Sequence, residues 1–158
     1  MYIVIVVLLL GVLPAGSVVA EQQIWHSTLP LMVLVGKWFT FWAVGMRLFL
    51  AGLRQSLQPG FTAREIFNIQ GEDALPIVRE LGLANISIGA LGLVSLLLPA
   101  VTWPAAMVGG LYYGLAGALH IARGYKNFYE RFAMVTDLLI FALLAIYVVY
   151  SAATTAAL

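Results

Sequence analysis

Five stretches of this chain are long enough and apolar enough to cross a bilayer, and that removes most folds from consideration. They fall at about residues 2–20, 29–53, 79–98, 104–122 and 132–150, each close to the ~20 residues a helix needs to traverse ~30 Å of hydrocarbon. In that layer a backbone N–H or C=O finds no water, so a spanning segment must close its own hydrogen bonds. Charged residues make up 9% of the chain, against about 25% in soluble domains. The expectation is an all-α integral membrane bundle in a single transmembrane domain, residues 1–158: four core transmembrane helices plus an N-terminal fifth helix. Pro14 and Gly16 interrupt the first stretch, and Val18-Val19-Ala20 precedes Glu21. A cleaved secretory signal and a retained helix both fit that layout. The missing basic n-region favours the retained helix.

Small residues recur at helical spacing. In the fourth span Ala106, Gly110, Tyr113, Gly117 and His120 share one side, and in the third Gly82, Asn85, Gly89 and Gly92 do. In lipid, where no hydrophobic drive pulls helices together, small residues let backbones approach and van der Waals contact do the work. These faces suit packing within the chain, or a homo-oligomer or membrane-protein partner. Gly110 and Gly114 read as the G-x-x-x-G spacing of such a seam.

The basic residues are one-sided. Arg54, Arg64, Arg79, Arg123, Lys126 and Arg131 belong to two connections on the same side, 55–78 and the one before residue 132. The positive-inside rule makes that side cytoplasmic, with the N-terminus inside and the C-terminus outside a bacterial inner membrane. Within 55–78, Pro59-Gly60 marks a turn and Thr62 to Glu65 a capping box. A short helix, Ala63 to Gln70, follows, either lying on the membrane surface through Ile66, Phe67 and Ile69 or serving as a plain connector. Lys37 is expected to snorkel toward the outer face, and His26 to be a solvated loop histidine.

Four polar residues sit inside spans at similar depth near the basic side: Arg47, Asn85, His120 and Asp137. Arg79 and Glu80 mark the boundary beside them, and Tyr113 lies deeper on the histidine face. Ionisable groups in hydrocarbon are costly, so they pair and often mark a pathway or pocket. The cluster is expected to join His120 to Asp137, with Arg47 near enough to keep the acid ionised. It reads either as a clasp that fixes helix register or as a ligand or proton site. No catalytic residue is assigned: no serine lies in a nucleophile elbow and no glycine-rich loop follows a strand. With no cysteine and two histidines on opposite sides of the bilayer, no metal and no cofactor is expected. A net charge of +1 gives no arm for nucleic acid, so the expected partners are lipid and other membrane proteins.

The run Arg79-Glu80-Leu81-Gly82-Leu83-Ala84-Asn85, followed by a glycine-spaced helix and then His120, Asn127 and Asp137, resembles a family of small uncharacterised bacterial membrane proteins. More distantly the layout is similar to DoxX-like four-helix proteins, over roughly residues 36–150. The second resemblance implies a link to quinone-associated redox chemistry and membrane stress. Thiol chemistry among such relatives has no cysteine to use here. The leading expectation is a non-enzymatic accessory or structural membrane subunit. A quinone- or small-molecule-binding redox partner and a proton-coupled small-molecule transporter are the alternatives.

Overall fold

In a computed structural model that describes residues 2–124 and 126–155, helices are connected by short turns, with no strand among the described residues. The helices are α1 (Tyr2–Gln23), α2 (Leu31–Leu57), a short α3 over 59–66, α4 (Ala74–Val94), α5 (Thr102–Ala122) and α6 (Phe128–Thr155). A 3₁₀ turn, Pro99–Val101, leads into α5. All but α3 are long and apolar enough to cross a membrane, α5 together with that leading turn. The outside of the bundle is apolar: Leu83, Leu111, Leu115, Val135, Leu139 and Ile146 are exposed, while Gly82, Asn85 and Gly89 of α4 are buried. Water would penalise so continuous an apolar exterior, and lipid does not. The protein is an all-α, multi-pass membrane bundle.

The helix boundaries differ from the sequence expectation for local reasons. The connecting helix starts at Pro59 instead of at a Thr62 cap, because a ring-fixed φ suits the first helical position and Gln58 (φ −134°, ψ 64°) breaks the chain away from α2. Thr62 is therefore buried inside α3, which ends at Ile66 and not at Gln70. Asn68, with φ 55°, turns the chain out of it, in a region that asparagine tolerates better than most residues. α4 begins at Ala74, where the acidic pair Glu72-Asp73 and a first-turn Pro76 predict a helix start, because the helix dipole favours negative charge there; the apolar span proper begins nearer residue 79.

Glycines bring α2 and α4 into backbone contact. A Cβ on Gly45 would stand 2.9 Å from the carbonyl carbon of Gly92, and one on Gly52 would stand 2.5 Å from the carbonyl oxygen of Gly82. A Cβ on Gly89 would meet the backbone nitrogen of Phe49. α5 packs on α6 with small residues under large ones: Gly110 faces Leu144, Gly114 faces Phe141 and Gly117 faces Leu138. Ala106, Gly110, Tyr113, Gly117 and His120 are all buried, so the small face of α5 is turned into its own bundle. The core beneath these contacts is Ala43, Val44, Leu48, Ala106, Tyr113, Ile140 and Leu144, with Val6 and Leu10 of α1 closing one side.

α1 is fastened to α2 by polar contacts one helical turn apart. Lys37 Nζ lies 2.9 and 2.7 Å from the two carboxylate oxygens of Glu21, and Trp38 Nε1 donates to one of them at 2.6 Å. Trp42 Nε1 donates to Ser17 Oγ at 3.0 Å. Lys37 thus reaches toward the end of the bundle opposite the basic connections and meets Glu21 in the last turn of α1. The reason is that a carboxylate near a helix C-terminus opposes the dipole and needs a cation. His26, in the exposed turn after α1, has φ 49°. In α2 the stretch Thr40–Leu48 is wound as a π-helix, with wider turns than its flanks.

Candidate functional site

The α2–α4 contact sets the site. α2 and α4 run antiparallel, Gly45 lying against Gly92 and Gly52 against Gly82, and across the latter contact Asn85 Nδ2 donates to Gln55 Oε1 at 2.6 Å. Beside this pair lies a cavity of about 130 Å³ at the basic end of the bundle. Arg47, Arg54 and Gln55 of α2 line it, together with Asn85 of α4, Tyr112, Tyr113 and His120 of α5 and Asp137 of α6. Tyr2 of α1 completes one wall, and Phe61, Thr62 and Ile66 of α3, with Phe67 just beyond it, cover the basic end. α3 is therefore a cover over the cavity, with Ile66 buried in the protein and not laid on a membrane surface.

Arg47, Asn85, His120, Asp137 and Tyr113 all border this one space, whereas Arg79 and Glu80 are exposed and lie outside its lining. The pairings within it differ from those expected. His120 Nδ1 lies 3.1 Å from Glu130 Oε1 and has no hydrogen bond to Asp137. Glu130 also accepts from Arg123 at 3.3 Å, and Arg123 donates to the Phe67 carbonyl at 3.2 Å. The Phe67 ring stacks on the His120 ring at 6.4 Å between centroids, with 24° between planes. Connection length explains the substitution. α6 begins at Phe128, so Glu130 falls in its first turn, where its N–H is capped by Asn127 Oδ1 at 2.8 Å, directly beside the last turn of α5. Asp137 is two turns further on, about 10 Å deeper along the axis.

Arg47 and Asp137 are left without ion pairs. Neither makes a hydrogen bond or salt bridge to any described residue, although both border the same cavity. The Arg47 guanidinium lies 5.8 Å from the Tyr2 ring centroid, and its buried Nε has no acceptor. Asn85 Oδ1 is likewise buried without a hydrogen bond of good geometry, although the Tyr112 side chain interacts with this amide. Tyr113 is satisfied, its hydroxyl donating to the Ala43 carbonyl at 2.6 Å. Arg54 stacks on Phe61 with its guanidinium carbon 3.8 Å from the ring centroid, and it too has no carboxylate partner.

The chemistry available is donation from one or two guanidiniums on the α2 wall and acceptance by a carboxylate on the α6 wall. A bound group that carries both an acceptor and a donor would satisfy the two walls together. No three His, Asp or Glu side chains among the described residues are grouped closely enough to hold a metal ion. Several of these residues carry signals in the sequence: Glu130 and Asp137 are seven apart on one helix face, as are Arg47 and Arg54. Tyr2 carries none, because its place depends on how α1 docks. Comparison of the chain with protein-family models, with curated proteins and with solved structures gives no match.

Proposed function

We propose that this membrane protein binds a small molecule in the cavity between α2, α4, α5 and α6, holding a polar head between Arg47 and Asp137. The observation that carries the reading is that a guanidinium and a carboxyl group border one space in the bundle and neither makes a hydrogen bond or ion pair to a described residue. An unpaired arginine in a span is costly, and an acceptor on a ligand or water relieves it. The volume suits a head of about one six-membered ring, since an engineered cavity of ~150 Å³ takes benzene. A quinone head is among the candidates, in keeping with the DoxX-like resemblance. The role proposed is binding.

Mass spectrometry of the purified protein released from mild detergent is expected to show one adduct of defined mass in the wild type, with much lower occupancy in Arg47→Gln and in Asp137→Asn. Equal occupancy in all three would overturn the proposal. The accessory-subunit reading draws on a separate observation, the His120–Glu130–Arg123 network, which fastens the end of α3 to α5 and α6. It predicts no adduct and retention of a protein partner instead.

We place the protein in a bacterial inner membrane with its basic end in the cytoplasm, on the strength of six Arg and Lys residues that all belong to that end. Reporter fusions after Leu57 and after Lys126 should report cytoplasm, and a fusion at the C-terminus should report the outside. A cytoplasmic C-terminus would reverse this assignment.

A further inference from the structure

A second hollow adjoins the polar cavity. It is an apolar groove of about 210 Å³ between α1 and α2, walled by Ile5, Val6, Leu9 and Leu50. Ile5 and Leu50 are exposed on the outside of the bundle, so the groove opens to the lipid-facing surface. Tyr2, Arg47 and Arg54 border both hollows, so the guanidiniums stand where the apolar groove meets the polar chamber.

The geometry points to a ligand that is a phosphate monoester on a single hydrocarbon chain, its head in the cavity and its chain in the groove, entering sideways from the membrane between α1 and α2. This rests on the binding role proposed above and names the class of molecule bound.

Three features select that class. A polar cavity and an apolar groove that share Tyr2, Arg47 and Arg54 as walls suit an amphiphile, because a water-soluble ligand has no use for a wall of Ile5, Val6, Leu9 and Leu50. The groove runs between only two helices, which suits one chain. The charges choose the head. Arg47 and Arg54 have no carboxylate partner among the described residues, and guanidinium forks match phosphate oxygens in pairs. Asp137 stands on the opposite wall, and His120 already faces Glu130 at 3.1 Å. The cations left to a ligand are therefore the two guanidiniums. A phosphate monoester answers them with several acceptor oxygens, and its P–OH, when singly ionised, faces Asp137. A carboxylate offers no such donor, and an alcohol offers no charge.

The test is titration of the full chain in detergent, followed by mass spectrometry under non-denaturing conditions. The probes are dodecyl phosphate, dodecanoate, dodecanol, inorganic phosphate and a decyl-chain quinol. Dodecyl phosphate is expected to bind one per chain, at least about tenfold more tightly than the other four. Arg47→Gln and Leu50→Trp should each weaken it by about tenfold or more, the first by removing a head contact and the second by filling the groove. Gly16→Leu, at a position on α1 with open space around it, should leave it unchanged. If Arg47→Gln does not fold, Arg47→Lys replaces it, keeping the charge and losing the fork.

Dodecanol or dodecanoate binding as tightly as dodecyl phosphate would overturn the choice of head. Inorganic phosphate binding as tightly as dodecyl phosphate, with Leu50→Trp without effect, would overturn the groove. Arg47-dependent binding of the quinol alone would overturn this inference and leave the cavity as a binding site. Failure of every probe to depend on Arg47 would remove both.

Discussion

Gly89→Leu should yield no folded protein in detergent, while Gly16→Leu should melt at the wild-type temperature. A Cβ at Gly89 would meet the Phe49 backbone nitrogen and stand 2.7 Å from its Cα. Nothing there can rotate away. Overpacking costs about 1–3 kcal/mol where neighbouring side chains yield. Here the whole α2–α4 contact has to open, and Gly45–Gly92 and Gly52–Gly82 would be lost with it. Gly117→Leu makes the milder comparison, since its Cβ would meet the Leu138 side chain at 2.7 Å, which is free to move. Leu115→Ala should be milder still, because Leu115 is 70% exposed on the outer face. Thermal unfolding in one detergent orders the four variants. If Gly89→Leu and Gly117→Leu lose the same stability, the α2–α4 contact is not the tight seam of the bundle.

Glu130→Ala is expected to cost about 2–3 kcal/mol, the upper part of the penalty for leaving buried polar partners without their hydrogen bonds. The Glu130 side chain is 3% exposed and accepts from both His120 and Arg123. Its loss strands a buried imidazole and releases Arg123, and through Arg123 it frees Phe67 and the cover formed by α3. Glu72→Ala supplies the contrast. Its pair with Arg64 is as short, at 3.0 Å, but the Glu72 side chain is 78% exposed. Exposed pairs contribute at most about 1 kcal/mol. Denaturant unfolding that gives the two variants similar losses would show that Glu130 is no keystone.

What the sequence made legible was whatever depends on one helix at a time. Apolar length located the spans, and the period of the helix put Gly82, Asn85, Gly89 and Gly92 on one buried face and His120 on another. Similar depth was enough to single out Arg47, Asn85, His120 and Asp137, which border one cavity. Choice among nearby partners was not legible. Depth alone could not prefer Asp137 or Glu130 as the neighbour of His120, because the answer turned on where α6 starts after a connection of a few residues. Nor could it show that Lys37 would find Glu21, a contact between α1 and α2 that depends on how the two helices are rotated. The cover stayed undecided for a similar reason: the short helix read equally as a surface-lying helix or a plain connector until the cavity beneath Ile66 and Phe67 is seen.

The wide turns of α2 between Thr40 and Leu48 bear on how such a bundle can be altered. A π turn accommodates what is in effect an extra residue, so the two halves of α2 are phased independently around its axis. The upper half answers to α1 and α6, through Lys37 on Glu21 and Gly36 against the ring of Tyr147. The lower half answers to α4, through Gly52 against Gly82. Arg47 lies on the wide-turned stretch between the two halves. Deleting one residue from that stretch would restore a uniform helix and oblige one of the two seams to slip. The irregularity is thus a phase corrector, and the orientation of Arg47 toward the cavity is what it sets.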